Sequence, residues 1–370
     1  MKIAVLKERA AGETRVAATP ETVKKFIGLG NEVAVEAGAG ASASITDEAY
    51  GEAGATTGDA AAVIKDADIV LGVQAPDVAL LKGAKPGAWV AALFDPFQQG
   101  ERVEAYAKAG LEALSMEFMP RITRAQSMDV LSSQSNLAGY KAVVAAADEY
   151  GRAFPMMMTA AGTVQAARCF VMGVGVAGLQ AIATAKRLGA QVSATDVRPE
   201  TAEQITSLGA KAVFAEGLEA AGEGGYAAEL SDEQKAKQAA LVSEHIAKQD
   251  LVITTALIPG RKAPVLITDE QIATMKEGSV IFDLAVAQGG NVEGSKPDEV
   301  VVKHGVKIMG YSNTPAHLPA DASALFARNH FNFLSAFWDK EAGKPELDEE
   351  IGDAIRLTKG GEIVSERLKG

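Results

Sequence analysis

Three glycines carry the clearest chemical message in this sequence. Gly173, Gly175 and Gly178 form a G-x-G-x-x-G turn between the apolar run Cys169–Met172 and a helical run, Leu179–Leu188. Such a turn suits a dinucleotide. The first glycine permits a tight bend, the second lets backbone approach a pyrophosphate, and the third lets the helix lie close to the strand. The helix N-terminus then meets the anion with uncommitted N–H groups and the positive end of its dipole. Val174 and Val176 sit within the turn and share in this site. Eighteen residues after Gly178 comes Asp196, at the tip of a second β-rich run, Gln191–Thr195. A carboxylate there accepts hydrogen bonds from ribose hydroxyls, worth about 1.5–3 kcal/mol because one partner is charged. The same charge repels a 2′-phosphate, so the stretch from Arg168 to Arg198 predicts NAD(H) rather than NADP(H). Val197 and Arg198 follow directly, and the Arg198 guanidinium works against that preference because it can accept a 2′-phosphate. A glycine-rich turn with no ligand is the bland alternative.

A second constellation runs from Arg121 to Tyr140, with the order Arg-Ile-Thr-Arg-Ala-Gln-Ser-Met-Asp-Val-Leu-Ser-Ser-Gln-Ser-Asn-Leu-Ala-Gly-Tyr. It offers a guanidinium, an amide, a carboxylate and several hydroxyls between an apolar strand and a helix. Spacing alone leaves two readings open. One is a loop that touches a ligand; the other is a solvated interdomain loop capped onto the next helix by Ser135 or Asn136.

The elements that must position these groups alternate strand and helix. Ile3–Leu6, Val33–Glu36, Ile69–Val73, Ala88–Leu93 and Leu111–Ser115 read as buried strands. Thr19-Pro20-Glu21 supplies a helix N-cap, a proline in the first turn and an early acid, and Gly28 and Gly30 end that helix. A helix over Asn136–Tyr150 leads to a second set of strands: Cys169–Met172, Gln191–Thr195, Lys211–Phe214, Leu251–Thr254, Ser279–Asp283 and Val306–Met309. A further helix spans Leu318–Trp338, and the remainder to Gly370 is polar. The expected fold is α/β, with two Rossmann-like domains whose parallel sheets are flanked by helices and an NAD site in the interdomain cleft. The expected boundaries are 1–135 plus 312–370 for a discontinuous outer domain of flavodoxin or Rossmann type, and 136–311 for the NAD(H)-binding domain.

Bulk properties narrow the function classes. The chain has 370 residues, 48% of them hydrophobic and 23% charged, ordinary for a globular protein with two cores. Its net charge of −12, without a Lys/Arg cluster, argues against a nucleic-acid surface. The best membrane-like stretch, Cys169 to Ala185, is short for a bilayer and broken by the three glycines, so no direct span is expected. The single cysteine, Cys169, fits a reducing cytosol and lies in a predicted strand, where packing suits it better than reactivity. His245, His304, His317 and His330 are scattered, and no metal site is expected. His245 reads as a solvated residue on a polar helix face. Met156–Met158 suits either a soft contact surface or packing.

The polar loop, together with Phe154-Pro-Met-Met-Met-Thr-Ala-Ala-Gly162, the glycine turn and Thr254-Thr-Ala-Leu-Ile-Pro-Gly260, resembles the NAD(H)-binding component of proton-translocating nicotinamide nucleotide transhydrogenases. The likeness runs from Lys7-Glu8-Arg9 to Arg328 and fades beyond. It implies that Arg121, Gln126, Asp129 and Ser132 lie at the nicotinamide end, with Gln126 as the catalytic residue that orients the ring. The segment around Tyr226 is similar to that family's mobile loop, which makes Gly225, Tyr226 and Leu257 further contacts. The resemblance also implies NAD(H) on this chain and NADP(H) on a partner subunit. The partners would be membrane-embedded subunits that carry the proton channel, and the chain would be a homodimer, peripheral to the inner membrane on its cytoplasmic side. Hydride transfer would be coupled to proton movement.

Alanine dehydrogenase, of the same fold family, is the rival. Oxidising an amine releases a proton with the hydride, so that enzyme needs an ionisable group at its substrate. Its pattern places a lysine in Val-Lys-x-Pro and a histidine after the next strand. This chain has Val73-Gln74-Ala75-Pro76 and Leu93-Phe94-Asp95 there, although Arg15 matches the substrate-binding arginine. Transfer between two nicotinamides moves only a hydride and asks for alignment and exclusion of water. A second rival, from another class, is an NAD(H)-sensing module without turnover.

Overall fold

A computed structural model describes residues 1–215, 232–258 and 260–369. The chain divides into two compact units, Met1–Gln134 with Pro315–Gly370, and Ser135–Thr314. The first holds six parallel strands: β1 (Lys2–Val5), β2 (Glu32–Glu36), β3 (Thr56–Gly58), β4 (Ile69–Gln74), β5 (Trp89–Leu93) and β6 (Glu112–Ser115). Their order is β3-β2-β1-β4-β5-β6. Ile3, Ala4, Val5, Val70, Leu71, Val90 and Ala91 are all buried, which is why these strands read as unbroken apolar runs: both faces are covered. The short β3, Thr-Thr-Gly, has no apolar run and gave no signal. Helix α1 (Pro20–Gly28) starts where expected, with Thr19 and Thr22 forming a reciprocal cap.

Helix α2 (Val130–Glu149) begins six residues before the expected start at Asn136. The Asp129 carboxylate accepts the Ser132 N–H at 2.9 Å and caps the helix early. Ser135 and Asn136 are therefore inside the helix, and the cap expected from them is not formed.

The main sheet of the second unit has, among the described residues, seven strands: β7 (Arg168–Met172), β8 (Gln191–Thr195), β9 (Lys211–Ala212), β10 (Leu251–Thr254), β11 (Val280–Asp283), β12 (Val301–Lys303) and β13 (Val306–Met309). They are ordered β9-β8-β7-β10-β11-β13-β12, with only β12 antiparallel. Helix α3 (Val176–Arg187) follows β7 and starts three residues earlier than the sequence suggests.

After α4 (Pro319–Ala336) the polar tail joins the first unit. Ile351, Ile355 and Leu357 are fully buried in its core, and Thr358 donates its hydroxyl to the Leu111 carbonyl at 2.7 Å. Apolar residues four apart in a short helix, Glu349–Ile355, were the overlooked signal.

In both sheets one pair of neighbouring central strands sends its connections in opposite directions, the place where such sheets take ligands. In the first unit that place, between β1 and β4, is filled by the chain itself. Glu8 accepts the N–H groups of Val73 at 2.6 Å and Gln74 at 3.2 Å. The Gln74 amide donates to Glu13 at 3.1 Å, and Glu13 pairs with Arg15 at 2.6 Å. Burial pushes the Glu8 carboxyl up to about 7 despite its two N–H donors. Unfolded, this carboxyl ionises near its ordinary 4.5, so between those values the folded chain holds the extra proton. Its stabilising effect is complete at low pH and is lost as pH rises through 7. Glu8→Gln has nothing to titrate. The stability advantage of the natural chain over Glu8→Gln should shrink by at most about 3 kcal/mol between mildly acidic and mildly basic pH, read by urea unfolding. A constant gap would mean that Glu8 titrates as an ordinary carboxylate.

Candidate functional site

The glycine turn lies at the carboxyl end of β7, where the second sheet reverses its winding. Gly173 has φ +101°, a conformation that L side chains avoid, and an added Cβ would meet Thr255 Oγ1 at 2.4 Å. A Cβ on Gly178 would lie 1.9 Å from the Gly173 carbonyl oxygen. Around a Cβ on Gly175 there is nothing within 4 Å. The first and third glycines thus serve packing, and the second leaves open space. Gly175 is the N-cap of α3 and supplies no side-chain cap, so the N–H groups of Val176, Ala177 and Gly178 point out of the helix start. Open space in front of first-turn N–H groups fits a pyrophosphate.

Asp196 follows β8 directly. One carboxylate oxygen accepts the Val174 N–H at 2.6 Å; the other accepts the Arg198 N–H and Nε, both at 2.9 Å. Arg198 Nη2 also donates to the first oxygen at 3.2 Å. Burial works against ionisation of Asp196, but Arg198 and the backbone donors more than offset it and hold the carboxyl below its ordinary value. Ribose hydroxyls can reach this carboxylate once the Arg198 side chain swings aside, which is cheap because that side chain is half-exposed. Val176, Val197 and Leu257 are exposed, Val197 to 73%, and offer apolar surface within the same unit.

Sequence reasoning missed the groups that brace this turn. Thr255 donates its N–H to the Met172 carbonyl at 2.9 Å and its hydroxyl to that of Gly173 at 3.1 Å. Asn291, fully buried, accepts the Ala256 N–H at 3.0 Å and donates to the carbonyls of Ala256 and Pro264. Asp283, also buried, accepts from the Asn291 and Val292 N–H groups and the Ser295 hydroxyl. Gly139 of α2 is a fourth glycine of the site, because a Cβ there would lie 2.0 Å from the Ala177 carbonyl oxygen. Thr255 and Gly139 stood in segments already singled out, but their bracing contacts, like those of Asn291 and Asp283, are made outside those segments or across loops.

The polar loop lies in the first unit. Arg121 and Gln126 are exposed, whereas Ala125 and Met128 are buried in the core beneath them. Asp129 and Ser132 come together, with the Ser132 hydroxyl donating to the carboxylate at 2.6 Å. Arg124 reaches Asp348 and Glu350 at 2.5 Å each. The structure thus gathers Gly173, Val174, Gly175, Val176, Gly178, Asp196, Val197 and Arg198 in one unit, and the loop residues in the other. Gly225 and Tyr226 lie outside the described residues.

The remaining candidates behave as structural groups. Arg15, its side chain only 3% exposed, gives Nε and Nη2 to Glu13 and Nη1 to Gln134. Phe94 is fully buried against Tyr106. Burial pushes the Cys169 thiol up to about 12. His245 is not simply solvated: it is half-buried, its ring 4.7 Å edge-on to Phe170 and its Nε2 2.7 Å from Ser193 Oγ. The helix face that carries it packs on the sheet, and burial lowers its basicity. Met156–Met158 is not packed in a core. Its methionines are exposed on a hairpin formed by Met157–Thr159 and Gly162–Val164. Among the described residues no group of His, Cys, Asp or Glu is arranged to hold a metal.

Comparison with known proteins bears on these observations. Residues 4–138 match the family model "Alanine dehydrogenase/PNT, N-terminal domain", and residues 142–366 match "Alanine dehydrogenase/PNT, C-terminal domain". The chain is 53% identical to an NAD(P) transhydrogenase subunit alpha component of Rhodospirillum rubrum, over all of this chain and 99% of that one. The likeness therefore does not fade after Arg328. A solved structure of transhydrogenase from Sinorhizobium meliloti superposes with a TM-score of 0.90 at 52% identity, covering 98% of this chain and all of that one. A solved L-alanine dehydrogenase gives 0.81 at 25% identity, covering all of this chain and 98% of that one.

The two charged groups at the strand tip should separate on mutation. Asp196→Ala should weaken NADH binding at least about tenfold in a fluorescence titration, with the circular dichroism unchanged. Arg198→Ala should alter it by no more than about threefold, because its guanidinium is half-exposed and Asp196 keeps the N–H groups of Val174 and of residue 198. An unchanged affinity for Asp196→Ala would remove that carboxylate from the site.

Proposed function

We propose, from the premise that the chain belongs to the alanine dehydrogenase/PNT family and groups there with transhydrogenase alpha subunits, that it binds NAD(H) and takes part in direct hydride transfer with NADP(H) held by a partner subunit. The observation that carries the reading is the glycine cradle: open space at Gly175 before the first turn of α3, with Asp196 at the next strand tip. The bound nicotinamide supplies or accepts the hydride. The N–H groups of Val176, Ala177 and Gly178 hold the pyrophosphate, and Asp196 takes the ribose and disfavours a 2′-phosphate. Arg121, Asp129 and Ser132 serve the nicotinamide end, where Gln126 orients the ring, and Gly225, Tyr226 and Leu257 add contacts.

A dehydrogenase acting on an amino acid is disfavoured by what stands at its proton-handling positions. Gln74 spends its amide on Glu13, and Phe94 is buried. Neither moves a proton at a substrate. Hydride exchange between two nicotinamides releases none, so an amide that aligns without ionising is sufficient.

The partners in this reading are membrane-embedded subunits that carry the proton channel and the NADP(H) domain. Among the described residues no helix is long and apolar enough to cross a membrane. Attachment at the cytoplasmic face of the inner membrane would therefore run through those partners, and proton movement would act on nucleotide affinity there. The chain is a homodimer in this reading, and the exposed methionine hairpin supports a self-contact.

Mixing decides between the readings. The purified chain with an NADP⁺-loaded partner domain should oxidise NADH, followed by its absorbance, and should leave NADH untouched with pyruvate and ammonia. The reverse pattern would make it an amino-acid dehydrogenase, and tight NADH binding without transfer would make it a sensor. Gln126→Asn should slow transfer by up to about a hundredfold while NADH affinity stays within a few-fold, because a displacement of about 1 Å has that effect on rate. Equal losses in both would make Gln126 an anchor for the cofactor.

A further inference from the structure

Gln126 sits exposed on a short turn, Thr123–Met128, and an exposed amide on such a turn aligns nothing unless the turn is held. A side-chain hold comes from helix α4, far along the chain. Asn329 of α4 is only 7% exposed, and its carboxamide bridges two points of the loop. Its Nδ2 donates to the Ser127 carbonyl at 2.8 Å, and its Oδ1 accepts the Ser133 hydroxyl at 2.7 Å. The Ser127 carbonyl can only accept, so the orientation of the carboxamide follows from its partners. Asn332, one turn later and half-buried, donates to the same carbonyl at 3.0 Å. Ser127 is the neighbour of Gln126, and Ser133 lies one residue beyond Ser132, in the first turn of α2. The bridge therefore spans the whole junction that carries Gln126, Asp129 and Ser132.

We propose that Asn329 is a positioning residue for hydride transfer: it fixes the 127–133 junction from α4, and so sets where Gln126 points, with Asn332 as its auxiliary. This rests on the role given to Gln126 above. This amide is buried, and its nitrogen and its oxygen are each hydrogen-bonded to the loop, so its effect on chemistry passes through the loop. Leucine has nearly the same shape and neither bond. Asn329→Leu should free the Ser127 carbonyl and the Ser133 hydroxyl, and the turn should sample several placements.

The test uses the full-length chain in two measurements. Amide hydrogen exchange on the nucleotide-free chain should speed up over residues 121–133 in Asn329→Leu and stay unchanged over the glycine turn. Hydride transfer to a partner domain loaded with NADP⁺, at saturating NADH, should slow about tenfold or more, while NADH affinity stays within about threefold. The same substitution made on Gln126→Asn should slow transfer by less than about twofold further, because an aligner already lost cannot be misaligned again. Asn332→Ala, milder and half-exposed, should show the same pattern with a smaller loss. Unchanged exchange, or an equal slowing in both backgrounds, overturns the proposal and leaves Asn329 a fold residue. If the natural chain transfers no hydride, or Gln126→Asn transfers normally, the reading of Gln126 has failed and this one falls with it. Accelerated loop exchange then still separates that failure from a mistaken anchor.

Discussion

The Cα atom of Gly178 lies against the carbonyl of Gly173, so close that one added carbon would stand 1.9 Å from its oxygen. That contact sets the distance between the end of β7 and the start of α3. Gly139 of α2 repeats the device on the other side, against the Ala177 carbonyl. The first turn of α3 is therefore clamped between two backbones with no side chain as a spacer. Overfilling such a contact typically costs about 1–3 kcal/mol or moves the backbone. Moving it here would redirect the N–H groups of residues 176–178, which act on an anion through their orientation. The brace by Thr255 and Asn291 serves the same end from β10. Affinity for a dinucleotide thus depends on backbone packing that no charged residue supplies.

The two sheets of the chain make the point by contrast. In each, a carboxylate at the end of the second strand accepts an N–H from the turn after the first. Glu36 takes the Lys7 N–H at 2.8 Å and pairs with Arg9; Asp196 takes the Val174 N–H at 2.6 Å and pairs with Arg198. The carboxylate device is common to both. What differs is the turn. Lys7-Glu8-Arg9 carries side chains, and Glu8 folds back onto the N–H groups of Val73 and Gln74, filling the crevice with the chain's own carboxyl. Gly173 and Gly175 carry none. The second sheet has room for a ligand where the first has supplied its own.

This explains how much could be read in advance. The strands of both sheets were legible because double-sided burial forces apolar runs, and α1 was legible because Thr19 and Pro20 mark its start. The glycine turn was legible because two of its glycines are demanded by sterics. Three kinds of feature were not. β3 and β12 are short and half-exposed, so no period emerges. The start of α2 was misplaced because Asp129 looks like a ligand-binding carboxylate, and its bonds to Ser132 become apparent only in three dimensions. Asn291 and Gly139 act on backbone at Ala256 and Ala177, more than thirty residues away, and Asp283 closes a loop onto itself; no helical or strand period encodes either. The buried Glu13–Arg15 pair belongs here too. Arg15 alone looks like a substrate group, until Glu13 and Gln134 are seen to occupy it.

If Gln126 is the aligning group, as proposed, an amide in that role sets a particular demand on its support. A charged side chain can be drawn to a charged ligand over several ångströms, whereas a neutral carboxamide has only short-range, directional hydrogen bonds. Its placement must be settled before the ligand arrives. The loop around Gln126 meets that demand by alternation: Ala125 and Met128 are buried in the core of the first unit, and Gln126 stands between them facing out. Asp129 and Ser132 then close the loop onto α2, and Arg124 ties it to Asp348 and Glu350 of the tail. Of these ties the exposed ion pairs are the weakest, since solvent screens them. The apolar anchors, the capped helix start and the buried Asn329 bridge are shielded from that screening. On the proposed reading, a site built this way would give up pH sensitivity at the aligning group and gain a rate that depends on packing. That division suits a reaction in which a hydride moves and no proton does.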